Sequence, residues 1–280
     1  MPYFDTTDGT RLFYAEAGAA EAPPVVFVHA WAFNSGMWNY QIPAFLAAGM
    51  RCVAFDRRGR GRSDVPGQGY DLDRLADDLA DLLAYLDLRG AVLVGHSMGA
   101  AETVRYLVRH GTQRPGRVKG IVLSAPTTPF LLRTDDNPEG PVQAAAAEAV
   151  RTLMRRDIGA FVAATSSTEW FGPGYQVSAG LSDWTSRQFF DTPLQILLST
   201  NKTCVNADLR EDLTKVTVPA LVIQGDADRS APLDHTGRRT HALLPHSTFV
   251  VIEGAGHGLH MSDPDRYNKE LLTFMNDLPE

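Results

Sequence analysis

The sequence predicts an α/β protein: a mostly parallel central sheet flanked by helices, with a further block of helices inserted late in the chain. Three observations predict it. Short Val-bearing apolar runs alternate with stretches of helical period between residues 25 and 123, the pattern of strands buried on both faces and joined by crossover helices. That alternation lapses at residue 127 and resumes after residue 208, with only turn-rich and helical stretches between. At one strand-to-helix junction stands Gly95-His96-Ser97-Met98-Gly99, a G-x-S-x-G pentapeptide, which belongs to a sharp turn at the top of such a sheet.

The elements follow in order. Residues 3–6 and 12–15 read as a hairpin turning at Asp8-Gly9. Val25-Val26-Phe27-Val28 reads as a buried strand after Pro23-Pro24, and a helix is expected over 38–48, stopped by Gly49. Cys52-Val53-Ala54-Phe55 is the next strand. Leu72, Leu75, Leu79, Leu82, Leu83 and Leu86 mark the core face of a helix. Ala91-Val92-Leu93-Val94 is the strand before the pentapeptide, and Ala101, Val104, Leu107 and Val108 give the helix after it. Gly120-Ile121-Val122-Leu123 follows as a strand. Helices are expected over 143–156, 158–164 and 183–203, so residues 127–208 read as a helical cap set into a core formed by 1–126 and 209–280. Strand character returns at Ala220-Leu221-Val222-Ile223 and at Thr248-Phe249-Val250-Val251-Ile252. A last helix is expected to open with Ser262 as its N-cap and Asp265 three residues on.

A serine hydroxyl is a weak nucleophile at neutral pH. It needs an imidazole to take its proton and a carboxylate to orient that imidazole. In sheet enzymes of this kind the three groups follow in the chain order Ser, acid, His. Besides the pentapeptide, two strand-end loops supply the acid and the histidine here. Gly225-Asp226-Ala227-Asp228 carries two acids, and Glu253-Gly254-Ala255-Gly256-His257-Gly258 carries a histidine between glycines. Ser97 is therefore the expected nucleophile and His257 the expected base, with the glycines letting its loop approach the serine turn. His260 competes but precedes the expected helix cap. His29 and His96 are expected behind the site, and His110, His235, His241 and His246 at the surface. Met98 opens the helix, so its N–H and the positive end of the helix dipole face a bound acyl oxygen.

These features resemble the α/β-hydrolase superfamily and, within it, the bacterial arylesterases and cofactor-free haloperoxidases. The resemblance spans essentially the whole chain. It rests on His29-Ala30-Trp31, the loop from Asp56 to Ser63, the pentapeptide, the segments Asp135–Gly140 and Asp208–Leu213, and the acid and histidine loops. It implies a Ser97–His257–Asp228 triad, with Asp226 as a turn residue. It implies an oxyanion hole made by the backbone N–H groups of Met98 and Trp31. It also makes the arginine-rich loop, from Arg57 to Arg62, a structural element rather than a phosphate patch. Two departures stand out: Ala30 replaces the usual glycine, and Ala32 stands where peracid-forming members often carry proline.

The expected activity is cofactor-free hydrolysis of small to medium, mostly apolar esters or lactones. Perhydrolysis, amide, lactam or carbon–carbon cleavage on the same triad are alternatives, and small-molecule sensing is a non-enzymatic one. Expected pocket walls are Trp31, Phe33, Met98 and Leu259 from the core, with Phe130, Trp170 and Trp184 among the cap aromatics, of which at least half are expected to pack the cap against the core instead. A net charge of −7 from 33 acids and 26 bases offers no nucleic-acid surface. No apolar run is long enough for a membrane span, and no cluster has metal-ligand spacing. Two separate thiols, Cys52 and Cys204, and the absence of a leader pattern at the start lead to an expectation of a cytoplasmic protein. Homo-oligomerisation is left open.

Overall fold

A computed structural model describes residues 2–111, 113–165 and 168–279. In chain order the elements are β1 (Tyr3–Asp5), β2 (Arg11–Ala17), β3 (Pro24–Val28), α1 (Ile42–Ala47), β4 (Arg51–Phe55), α2 (Leu72–Tyr85), β5 (Ala91–His96), α3 (Met98–Tyr106) and β6 (Val118–Ser124). Then come α4 (Ala144–Arg156), α5 (Ile158–Thr165), α6 (Thr168–Phe171), α7 (Ala179–Phe190) and α8 (Leu194–Asn206). The chain ends with α9 (Arg210–Thr214), β7 (Ala220–Gly225), α10 (Gly237–Leu243), β8 (Ser247–Ile252), α11 (Leu259–Ser262) and α12 (Pro264–Asn276).

The eight strands form one sheet in the order β1-β2-β4-β3-β5-β6-β7-β8. The β1/β2 and β2/β4 pairs are antiparallel and every later pair is parallel. β5 lies at the centre with all six residues buried, as its unbroken apolar run requires. Side chains alternate between two cores. Val26, Val28, Leu93 and Ile121 meet α2 and α3 through Leu79, Leu83 and Val104. Val25, Phe27, Val94 and Val122 meet α1 and α12 through Phe45, Tyr267 and Leu271. Because the parallel strands point one way, their carboxyl ends open on one edge, where ligand sites form in such sheets. The helices α4 to α8 follow β6 at that edge.

Several expectations need correction. The helix expected over 38–48 is a 3₁₀ turn at Ser35–Trp38 followed by the shorter α1. The helix expected over 183–203 is two helices, broken by Pro193, whose ring cannot continue α7. The last helix is capped by Asp263, whose side chain accepts from the Arg266 N–H, with Pro264 at the first helical position. Ser262 instead ends α11. The arginine loop is internal, as expected of a structural element: Arg57, Arg58 and Arg60 are all buried, Arg57 pairing with Glu102 and Arg58 with Asp78. His110, His235 and His241 are half-buried rather than exposed. Among the described residues, no helix is long and apolar enough to cross a membrane.

Candidate active site

Ser97 sits between β5 and α3 with φ 57° and ψ −117°. A non-glycine residue rarely adopts that region, which costs about 1–3 kcal/mol and persists only where packing imposes it. Here the packing is glycine against backbone. A Cβ at Gly95 would strike the Gly99 carbonyl, and a Cβ at Gly99 would strike the Val28 carbonyl at the end of β3. The first turn of α3 therefore lies directly against the strand end that leads to Trp31. Met98 N–H lies at that first turn, where no carbonyl of the helix can reach it.

The three residues singled out from the sequence meet here. His257 Nε2 lies 2.9 Å from Ser97 Oγ, and His257 Nδ1 lies 2.8 Å from Asp228 Oδ2. All three side chains belong to buried residues. Asp228 is fixed by four donors. Oδ1 accepts the backbone N–H groups of Ser230 and Ala231, each at 2.9 Å, and Oδ2 accepts Gln224 Nε2 at 3.1 Å besides the imidazole. Asp226 has a different task. Its Oδ1 accepts the Gly254 N–H at 2.7 Å, tying the acid loop to the histidine loop.

The glycines beside His257 serve a closer approach than the one expected. Gly256 N–H donates to the Phe171 carbonyl at 3.0 Å, and Gly258 N–H to the Trp170 carbonyl at 2.7 Å. A Cβ at Gly258 would strike the Trp170 ring. The loop is thus gripped on both sides of His257 by α6. Behind His257 lie His96, at 5.0 Å between ring centroids, and His260, at 4.5 Å from His96. Both are fully buried, and burial holds both uncharged, lowering His260 to about 3 and His96 well below its ordinary value.

Ser97 and His257 open into a cavity of about 400 Å³. Its walls include Ala30, Trp31 and Phe33 from the core, Thr127 just after β6, and Ala147, Val150, Phe161, Trp170, Phe189 and Cys204 from the inserted helices. Among the described residues, none that lines it is an acid, Lys or Arg. The Trp31 ring is anchored by its Nε1–H, which donates to the Leu197 carbonyl and to Thr200 Oγ1 at 3.2 and 3.0 Å. Phe33 stacks on Trp170 at 5.5 Å.

Of the expected pocket walls, Trp31, Phe33 and Trp170 line the cavity, whereas Phe130, Trp184 and Leu259 do not. Phe130 lies beneath the Arg210 guanidinium, 5.3 Å from its ring centre. Leu259 is fully buried in the core on the α1 and α12 side, and Trp184 packs against that same core. Met98 also faces inward, against Leu75, Leu131 and Cys204. The unexpected lining residues are mostly small. Asn201, Cys204 and Val205 share one face of α8, and Ala147 and Val150 one face of α4, spacings legible as helix faces though not as cavity walls.

Comparison with known proteins agrees with this fold. The family described as alpha/beta hydrolase fold matches residues 23–264. A non-heme chloroperoxidase of Kitasatospora aureofaciens is 38% identical, over 99% of this chain and 100% of its own. A bifunctional esterase/perhydrolase of Acinetobacter calcoaceticus is 31% identical, over 98% of this chain and 99% of its own. Among solved structures, a bromoperoxidase from Bacillus anthracis superposes with a TM-score of 0.90 at 32% identity, covering 96% of each chain.

Proposed function

The chain belongs to the α/β-hydrolase family, and from that membership we propose that it is a serine hydrolase of small to medium, mostly apolar carboxylic esters or lactones. The observation that carries the proposal is the Ser97–His257–Asp228 hydrogen-bonded series opening into an uncharged cavity. In this reading Ser97 Oγ attacks the ester carbonyl while His257 Nε2 takes its proton. Asp228 holds the Nδ1–H tautomer and offsets the positive charge the ring acquires. The backbone N–H groups of Trp31 and Met98 receive the developing oxyanion. His257 returns its proton to the leaving alkoxide, and water then cleaves the acyl-enzyme by the same steps in reverse. A cavity of about 400 Å³ suits a compact substrate, and the lack of charged walls among the described residues disfavours ionic ones. Residues 127–208 would act as the cap, holding the histidine loop through α6. The two free, buried thiols are in keeping with a cytoplasmic setting.

The names of the relatives raise peroxide as a second acyl acceptor. One local feature favours water. Ala32 has φ 65°, and proline, fixed near −65°, cannot take that backbone. The loop here therefore differs in conformation from one carrying proline at this place. The test pairs two measurements. Wild type should turn over short chromogenic esters, lose that activity to an organophosphate, and lose on the order of 10³-fold or more in kcat on Ser97→Ala with unchanged thermal unfolding. With water and peroxide both supplied, free acid should exceed peracid. Full activity in Ser97→Ala would end the serine mechanism, and predominant peracid would reassign the acceptor. Tight ligand binding without turnover would favour a sensor.

A further inference from the structure

Glu102 stands on α3, four residues past Met98, and is fully buried. Its Oε2 accepts Arg57 Nε at 2.7 Å. Arg57, also fully buried, follows β4 and reaches across to the loop after β3. Its Nη2 donates to the His29 carbonyl at 2.8 Å and its Nη1 reaches the Ala30 carbonyl at 3.5 Å. Its backbone N–H donates to His29 Nε2 at 3.0 Å. That bond makes Nε2 an acceptor, so His29 Nδ1 carries the proton and donates to the Ala30 carbonyl at 2.8 Å.

The Ala30 carbonyl and the Trp31 N–H belong to one planar trans peptide, so they point in opposite directions. Whatever holds that carbonyl also aims that N–H. The other oxyanion donor, Met98 N–H, rides on the helix that carries Glu102. We infer that Glu102, Arg57 and His29 are positioning residues that set the spacing and aim of the Trp31 and Met98 amides. The inference rests on the hydrolase reading, because it gives these residues their effect through the oxyanion. A buried ion pair contributes little net stability compared with well-packed apolar residues. Its contribution here is a rigid link between α3 and the loop after β3.

The test separates reach from charge. Glu102→Asp keeps the charge but shortens the arm by one C–C bond, about 1.5 Å. A misplacement of that size can cost roughly 10²-fold in rate. Expected for Glu102→Asp is a 10- to 100-fold fall in kcat per active site, titrated with an organophosphate, with KM within about threefold. Affinity for a trifluoromethyl ketone, whose hemiketal oxyanion occupies the same hole, should fall in proportion to kcat/KM. Glu102→Gln keeps the reach and loses the charge, so its kcat should fall less than that of Glu102→Asp while its Tm falls more. Should Glu102→Asp fail to fold, His29→Phe keeps a ring and removes the donor to the Ala30 carbonyl, and the same signature is expected. Wild-type kcat per site in Glu102→Asp, or kcat losses that merely follow Tm across the variants, would overturn the inference. Wild type without ester turnover would overturn the hydrolase reading and this inference with it.

Discussion

Asp228→Asn changes one atom at the position that orients His257, and the surroundings dictate what the change does. All the donors around this carboxylate point inward: the Ser230 and Ala231 N–H groups at Oδ1, and Gln224 Nε2 with His257 Nδ1 at Oδ2. Asparagine has one oxygen and one NH₂. If its NH₂ faces Ser230 and Ala231, two buried N–H donors lose their acceptor, at about 1–3 kcal/mol each. If its NH₂ faces His257, the backbone pair stays satisfied, and the imidazole can adapt by moving its proton from Nδ1 to Nε2. The second arrangement is the cheaper one. It leaves Nε2 protonated and facing Ser97 Oγ, unable to accept the serine proton. The expected loss is about 10⁴ in kcat, equivalent to about 5 kcal/mol of barrier. Asp226→Asn keeps an oxygen for the Gly254 N–H, so its loss should stay within about fivefold, the size of a local hydrogen-bond adjustment of about 1 kcal/mol. The assay is kcat on a short p-nitrophenyl ester for both variants, with thermal unfolding followed by circular dichroism. The reverse order of losses, or less than a tenfold loss in a folded Asp228→Asn, would refute the tautomer reasoning.

Three further outcomes are expected. Ala32→Gly should raise Tm by a few degrees, because a left-handed alanine costs about 1–2 kcal/mol that glycine avoids, less its own entropic cost; a lowered Tm would contradict this. Acid should destabilise the fold below pH 6.5, because His29, His96 and His260 are buried with pKa values held below the unfolded value of 6.5. Their contribution is complete above that pH and is lost as pH falls, at about 1.4 kcal/mol per unit for each group. Glu102, raised by burial from 4.5 to about 7, acts in the opposite sense, its contribution being lost as pH rises from 4.5 through 7. Three groups outweigh one, so urea midpoints should fall from pH 7 to pH 5, and equal midpoints would refute the assignment. Finally, Ala147→Phe places a ring in the cavity and should shift ester preference toward shorter acyl chains, read as kcat/KM across a chain-length series; an unchanged profile would place the acyl group elsewhere.

The strands were legible because they are short, apolar and bounded by turn residues, and burial on both faces leaves no other reading for runs such as Val25–Val28. Helix ends were less so, yet two missed ends had signals. Pro264 stands at the first helical position, where its missing N–H costs nothing, so the residue before it, Asp263, is the natural cap. Pro193 separates α7 from α8 for the converse reason. Pairings across the fold carry no such local mark. Neither Arg57 nor Glu102 announces the other from a distance of 45 positions, and the arginine run looked alike at Arg57, Arg58 and Arg60 although each is buried among different partners.

The pocket was misjudged for a related physical reason. A search for walls favours aromatic residues, because they bury the most surface. That same property draws some of them into contacts that fill space, as with Phe130 under Arg210 and Trp184 against the core. A cavity persists where side chains stop short. On α7 the faces presented to it are Thr185, Ser186 and Phe189, while Trp184 is absent from the lining. On α4 the buried residue that lines it is an alanine, Ala147. Small residues recurring at helical spacing, opposite a strand-end nucleophile, are therefore the better sequence sign of where a substrate fits. The aromatic residues that do line this cavity are held by contacts of their own: Trp31 by its two hydrogen bonds to α8, Phe33 and Trp170 by stacking on each other. Their rings can border empty space without collapsing into it because those contacts are already made. The fixed aromatic wall and the small-residue wall together keep the volume beside Ser97 open.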